Sequence, residues 1–290
     1  MLVTVLTVAF NSEATIARTI ESVLNQTFGA PQPSPSTLPR SSANPATSVT
    51  EENKGRDDRS GVDERVDDSL EYIIIDGAST DRTVEIARSY QPIFDSSPGR
   101  KLVVLSEPDH GMYDALNKGA RMARGFLVGQ INADDWYEPD AVETMVELWK
   151  ETGYDVAWGS LNMCSWNKDG SPKKPWVKKA HIGRLWTTAG WCHPAMFSTL
   201  STLLSFPYPL ESMYDDFDYI TAVHKAGKKI VTTEKVISNF SFTGGQSTKK
   251  SLAEVKKRVG VTYGIYKKYG MSKGYWFYRW AYELAKFVAE

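Results

Sequence analysis

Tyr72-Ile73-Ile74-Ile75-Asp76-Gly77-Ala78-Ser79-Thr80-Asp81 is the stretch on which the reading of the fold turns. Four apolar residues without polar alternation describe a strand covered on both faces, as in the interior of a parallel sheet. The polar turn after it leads into a helix through Val84 and Ala87. Working outward, the same unit recurs. Residues 2–9 are β-rich, and Ile16, Ile20, Val23 and Leu24 follow at helical spacing. Residues 102–105 form a third strand, with a polar loop and then a helix face of Leu116, Ala120 and Ala123. Residues 126–131 form a fourth, ending in Asn132-Ala133-Asp134-Asp135. Pro139 then suits a helix's first turn, ahead of the apolar face Val142, Met145, Val146 and Trp149.

Four strand–helix alternations predict an α/β fold with a mostly parallel central sheet covered by helices. Ligands of such sheets bind beyond the carboxyl ends of the strands. Those ends are where the polar residues gather, at 7–11, 76–81, 107–114 and 132–135, which predicts one acidic cleft. The second half is less regular, with short strands expected at 156–159, 195–197 and 229–233.

The 290 residues carry 34 Lys and Arg against 35 Asp and Glu, so no global basic field marks a nucleic-acid partner. A hydrophobic fraction of 41% supports a sizeable core. Cys164 and Cys192 have no CxxC spacing and no histidine sits in HExxH, so neither a zinc cage nor a disulfide scaffold is expected. No leader sequence and no membrane-spanning run is read, which places the chain in the cytoplasm, with peripheral contact to the inner face of the cell membrane as an option. Residues 29–69 hold Pro31, Pro33, Pro35, Pro39 and Pro45, a charged run and no aromatic residue, and read as a disordered insertion. Residues 249–290 carry ten Lys and Arg against three Glu, interleaved with aromatics. They read as a helical tail, lying either at a membrane surface or on the domain with its basic face in water.

Adjacent carboxylates after a buried strand suit a hard divalent cation that also takes diphosphate oxygens, and Asp134-Asp135 fits; the alternative is a helix cap ahead of Pro139. Asp76 followed by Gly77 suits a nucleotide base, the alternative being an Asx turn. Asp81 reads as the cap of the next helix. Neither GxGxxG nor GxxxxGK[ST] occurs, which argues against dinucleotide oxidoreductases and P-loop enzymes.

Thr7-Val8-Ala9-Phe10-Asn11-Ser12, Ser22-Val23-Leu24-Asn25-Gln26-Thr27, the 72–81 stretch, Gly111-Met112-Tyr113-Asp114-Ala115-Leu116-Asn117-Lys118-Gly119 and Asn132-Ala133-Asp134-Asp135-Trp136 occur in that order. Together they resemble the motif set of family-two inverting glycosyltransferases of the A-type, Rossmann-like fold, over about residues 3–140. The resemblance implies one glycosyltransferase domain at 1–248, with a nucleotide-sugar half to about 140 and an acceptor half after it, followed by the tail. It also implies metal-assisted transfer from a nucleoside diphosphate sugar to a hydroxyl of a glycan or lipid-linked saccharide, with Mn²⁺ or Mg²⁺ as cofactor, in polysaccharide biosynthesis.

By the same resemblance Thr7 and Phe10 flank the base, Asp76 hydrogen-bonds it, and Asp134 touches ribose or sugar. Asn11, Asn117 and Lys118 fall on the donor side. Asp135 ligates the cation, with Asp134 beside it, although Asn132 stands where the family often has an acid. The general base would be Asp216, with Asp215 as alternate; a helix start favouring acids is the plainer reading of that pair. His193-Pro194 and Gly244-Gly245-Gln246-Ser247 resemble less constant features near acceptor and diphosphate, with Lys249 and Lys250 adding charge. His193 also fits a hydrogen-bonded interior histidine. Processive members carry QxxRW, whereas Arg279-Trp280 here has Trp276 at the Gln position, which implies a non-processive enzyme. Competing readings are a nucleotidyltransferase making nucleotide sugars and a catalytically silent sugar-binding module.

Overall fold

Strands β1 (Leu2–Ala9), β2 (Ser69–Asp76), β3 (Arg100–Ser106) and β4 (Leu127–Asn132) alternate with helices α1 (Ile16–Leu24), α2 (Thr83–Ser89), α3 (Gln91–Ser96) and α4 (Met112–Met122). They pair in the order β3-β2-β1-β4, every ladder parallel. β1 and β2 each bury seven of eight residues, which is why their sequences run apolar without alternation. These elements come from a computed structural model that describes residues 1–29, 68–167, 169–183, 190–242, 251–272 and 274–289. Residues 30–67 of the expected insertion, Gly244-Gly245-Gln246-Ser247, Lys249 and Lys250 lie outside the described residues.

The chain continues with β5 (Trp136–Tyr137), α5 (Ala141–Thr152), β6 (Val156–Cys164), β7 (Trp176–Lys178), β8 (Met196–Thr199), α6 (Leu200–Ser205), α7 (Asp215–Lys225) and β9 (Ile230–Ser241). β8 is antiparallel to both β4 and β6, β6 runs parallel to β9, and β5 pairs antiparallel with β9. The sheet is thus continuous across both halves of the chain, and most of its paired residues lie in parallel ladders. The two-residue β5 and the three-residue β7 are too short to show periodicity, and α3 begins at the Gln91-Pro92 step where the preceding helix ends.

The tail forms two helices, α8 (Leu252–Lys268) and α9 (Gly274–Ala289), which break at Gly270 with φ +62°. The pair is fastened to α7. Asp218 accepts from Lys268 Nζ at 2.9 Å and from the Tyr269 hydroxyl at 2.6 Å, and Phe217 meets Tyr266 edge-on.

Register levels the strand ends. Ala9 lies opposite Asp76, Asp76 opposite Ser106, and Val8 opposite Asn132, so β1 to β4 release their polar loops along one edge. Behind that edge the buried Gln26 amide joins three backbones: Nε2 donates to the Ser22 and Glu138 carbonyls, each at 2.8 Å, and Oε1 accepts from Val142 N at 2.9 Å. It caps α5 while fixing the end of α1. Gln26→Leu leaves these buried backbone groups unpaired, with an expected loss of about 2–4 kcal/mol; a urea midpoint within error of the parent would refute this structural role.

Candidate active site at the strand ends

The loops after β1 and β2 are stitched together. Asn11 takes φ +48°, a left-handed conformation that Asn tolerates better than most residues. There its side-chain oxygen accepts from Thr80 N at 2.9 Å, while its own N–H donates to Ser79 Oγ at 2.8 Å. Glu13 N donates to Asp81, which also accepts from Thr83 N at the start of α2. Asn11 therefore shapes the loop, and its neighbour Phe10 projects into the open with 63% of its surface exposed. Asp76 is buried and accepts from Ser79 N at 2.9 Å and Ser106 Oγ at 2.7 Å, with Ser79 Oγ on its other oxygen. The Asx-turn bond and a place on the shared edge are both present. At Gly77 a Cβ would stand 2.7 Å from Asp109 Oδ2, so glycine lets the loop after β3 close against this corner.

Three residues expected on the donor side have partners inside the protein. Thr7 is fully buried and accepts from the Tyr72 hydroxyl at 3.0 Å, because β1 is covered on both faces. Asn117 uses both ends of its amide on the backbone of Tyr208, donating to its carbonyl at 2.8 Å and accepting from its N–H at 3.0 Å. Lys118 donates to the Pro108 carbonyl at 2.8 Å and pairs with Glu107 at 3.0 Å. The Glu107 hydrogen bond leads the interactions that raise its pKa. Asn117 and Lys118 hold loops in place.

The Asp134-Asp135 pair divides. Asp135 is fully buried, accepting from Ser241 N at 2.8 Å and Asn132 Nδ2 at 3.0 Å, while its carbonyl accepts from Thr19 Oγ1 at 2.6 Å. Burial first, then the neighbouring Asp134 charge, push its carboxyl well above the usual range. Both of its oxygens thus have partners inside the protein, as those of Asp76 do. Asp134 is the exposed member. Desolvation raises its carboxyl, and Arg18, which donates to the Asp134 carbonyl at 2.8 Å and lies 3.8 Å over the Trp136 ring, opposes the shift.

Among the described residues no group of three or more His, Cys, Asp or Glu converges on a metal position. One exposed carboxylate at a strand end nevertheless fits a cation of the magnesium type, which typically takes one or two carboxylates and fills its remaining positions with substrate phosphates and water.

The second acidic pair divides in the same way. Asp215 is buried and accepts from Glu211 N at 3.0 Å and Ser212 N at 2.8 Å, closing the turn before α7. Desolvation raises its carboxyl, and these bonds work against that rise. Each of its oxygens is held by a backbone donor of this turn. Asp216 is half-buried, and its two oxygens accept from the Tyr113 hydroxyl at 3.2 Å and from Trp191 Nε1 at 2.9 Å. Tyr113 belongs to the first turn of α4, directly after the β3 loop, so this bond joins the halves of the chain. Behind it His193 Nε2 lies 3.0 Å from Gln130 Oε1 on β4, and the Tyr208 hydroxyl donates to the same oxygen at 2.7 Å. His193 is thus a hydrogen-bonded interior histidine beneath Asp216. Sequence reading missed Arg18, Trp191 and Tyr208 as parts of the site. Arg18 carries no motif, only a place on the α1 face turned toward β5.

The comparisons agree with this architecture. Residues 64–204 match the family described as Glycosyl transferase family 2. A PGL/p-HBAD biosynthesis glycosyltransferase of Mycobacterium bovis is 30% identical over 130 residues, which is 44% of this chain and 47% of the relative. A chondroitin synthase of Pasteurella multocida is 29% identical over 134 residues, 42% of this chain and 13% of the relative. The chain thus matches less than half the length of these curated relatives. S. aureus TarS in complex with UDP superposes with a TM-score of 0.60 at 16% identity, covering all of this chain and 72% of the other. A mannosyltransferase from Pyrobaculum calidifontis in complex with GDP-Man and Mn²⁺ gives 0.56 at 15% identity, covering 99% and 75%. These likenesses carry the fold.

Burial holds the His193 imidazole below its ordinary value, with the Asp216 charge opposing. The folded protein then binds this proton less readily than the unfolded chain, so stability falls as pH drops below the unfolded value. His193→Gln is expected to flatten that fall below about pH 6.5. Urea midpoints of parent and variant across that window measure it, and parallel curves would contradict it.

Proposed function

From a chain whose residues 64–204 match the family described as Glycosyl transferase family 2, we propose that it transfers a sugar from a nucleoside diphosphate sugar to a hydroxyl of a glycan or lipid-linked saccharide, with inversion at the anomeric carbon. The observation that carries this reading is Asp216. It is a half-buried carboxylate, aimed by a hydroxyl from the nucleotide-side α4 and an indole from the acceptor side, on the strand-end edge. The nucleotide diphosphate or nucleotide sugar in the two structural neighbours supports the donor class, and the Mn²⁺ in one of them supports a divalent cation.

Phe10 offers an exposed ring to one face of the base, and Asp76 offers carboxylate oxygens held in place by Ser79 and Ser106. Asp134 would hold the cation, which when bound neutralises charge on the diphosphate. Asp216 accepts the acceptor hydroxyl's proton as the oxygen bonds to the anomeric carbon and the bond to the diphosphate oxygen breaks. Tyr113 and Trp191 fix which lone pair points at that proton.

Asp216→Asn is expected to lower transfer by about 10²–10⁴-fold while nucleotide affinity, read by calorimetry, stays within a few-fold. Asp215→Ala instead is expected to lower the urea midpoint by the equivalent of about 2 kcal/mol, because backbone donors lose their acceptor. Asp134→Ala is expected to remove the dependence of diphosphate release on added Mn²⁺ or Mg²⁺, measured over a panel of nucleotide sugars. Full transfer by Asp216→Asn would end the assignment of the base.

A further inference from the structure

Helix α9 is built inside out. Its inward side carries Arg279 and Glu283, 3% and 2% exposed, in contact at 2.8 Å, and Arg258 of α8 reaches the same carboxylate at 3.2 Å. Its outward side carries Gly274, Phe277, Tyr278, Ala281, Leu284 and Ala285, all exposed and none charged. Phe277 is 69% exposed and Leu284 41%. Steps of three and four make these positions one continuous stripe. A helix bathed in water on its outer side has the opposite distribution, because burying ions costs desolvation and leaving aromatic surface in water forgoes its transfer free energy.

The surroundings of the stripe say what covers it. α8 packs against α9 with Arg258 beside Glu283; Lys256 and Lys257, just before Arg258 in the chain, are exposed, as is Lys267 in the last turn of α8. Residues 251–289 contain eight Lys and Arg against Glu254 and Glu283, and Glu283 is the buried one. A second copy placed stripe to stripe would set two such cationic surfaces against each other. An anionic surface with an apolar interior satisfies both features.

We propose that the α8–α9 pair docks on an anionic lipid bilayer, with the Phe277–Leu284 stripe in the boundary between headgroups and acyl chains and the lysines over the lipid phosphates. Asp218 ties the pair to the helix that carries Asp216, so docking holds the cleft close to the bilayer. The further consequence, an acceptor presented from the membrane, rests on the proposed transfer; the docking does not.

The test is co-sedimentation of the full chain with vesicles of phosphatidylglycerol and phosphatidylcholine, and with phosphatidylcholine alone. Binding is expected to the first at low salt, with much less to the second and partial release at high salt. Phe277→Glu and Leu284→Glu are each expected to weaken it by about tenfold or more. Lys256→Ser with Lys257→Ser, which leaves the stripe intact, is expected to weaken it by roughly thirtyfold. Circular dichroism checks that each variant is folded, and the lysine pair stands in if a stripe variant is not. No sedimentation with anionic vesicles at low salt, or folded stripe variants that sediment like the parent, overturns the proposal. So does a dimer in sedimentation velocity that Phe277→Glu dissociates while vesicles go unbound. Vesicle binding without sugar transfer would leave the docking standing and remove the proposed enzyme chemistry.

Discussion

The site depends on one buried carboxylate. Asp135 accepts from Ser241 N at the end of β9 and from Asn132 at the end of β4, and so pins the acceptor half of the sheet to the nucleotide half. The turn that sends Asp135 inward leaves Asp134 facing out, one residue earlier. A charge placed this deep is costly unless its hydrogen bonds are complete, and Arg18 close by offsets part of that cost. With the β4–β8 ladder and the Tyr113–Asp216 bond, this pin fixes the separation between the Asp134 edge and the Asp216 edge, on which the proposed transfer depends.

Both acidic pairs follow the same division of labour. In each, one member is buried and accepts backbone N–H groups, while its neighbour reaches the cleft. Asp135 and Asp215 take the first role, Asp134 and Asp216 the second. In the first turn of α7 the helix turns successive side chains about 100° apart, which sends Asp215 back to the preceding turn and Asp216 toward Tyr113. The buried member sets the backbone from which the exposed member projects.

That division also marks what was legible beforehand. The strand–helix alternation at 72–81 and its repeats placed β1 to β4, because burial on both faces writes itself into composition. The clustering of polar loops on one edge was legible for the same reason, since register aligns the strand ends. Which acid of a pair faces solvent was not legible, because it is decided by partners such as Ser241 and Ser212 that are distant or carry no motif. Thr7 lies in a matched block, yet β1 is covered on both faces, and nothing in the block told that its hydroxyl meets Tyr72. β5 and β7 left no periodic signal, and the Tyr113–Asp216 bond joins residues 103 apart.

The first turn of α7 concentrates these effects. Acids at a helix start are favoured by the helix dipole, which accounts for Asp215, Asp216 and Asp218 occurring together. Their partners show that the dipole is not the whole account. Asp215 holds the preceding turn, Asp216 meets Tyr113 and Trp191, and Asp218 anchors Lys268 and Tyr269 of the tail. One helical turn therefore fixes a loop, a cleft and the C-terminal pair relative to one another. A displacement of the tail acts on the helix that bears Asp216, so whatever surface receives α9 is mechanically in series with the carboxylate at the cleft.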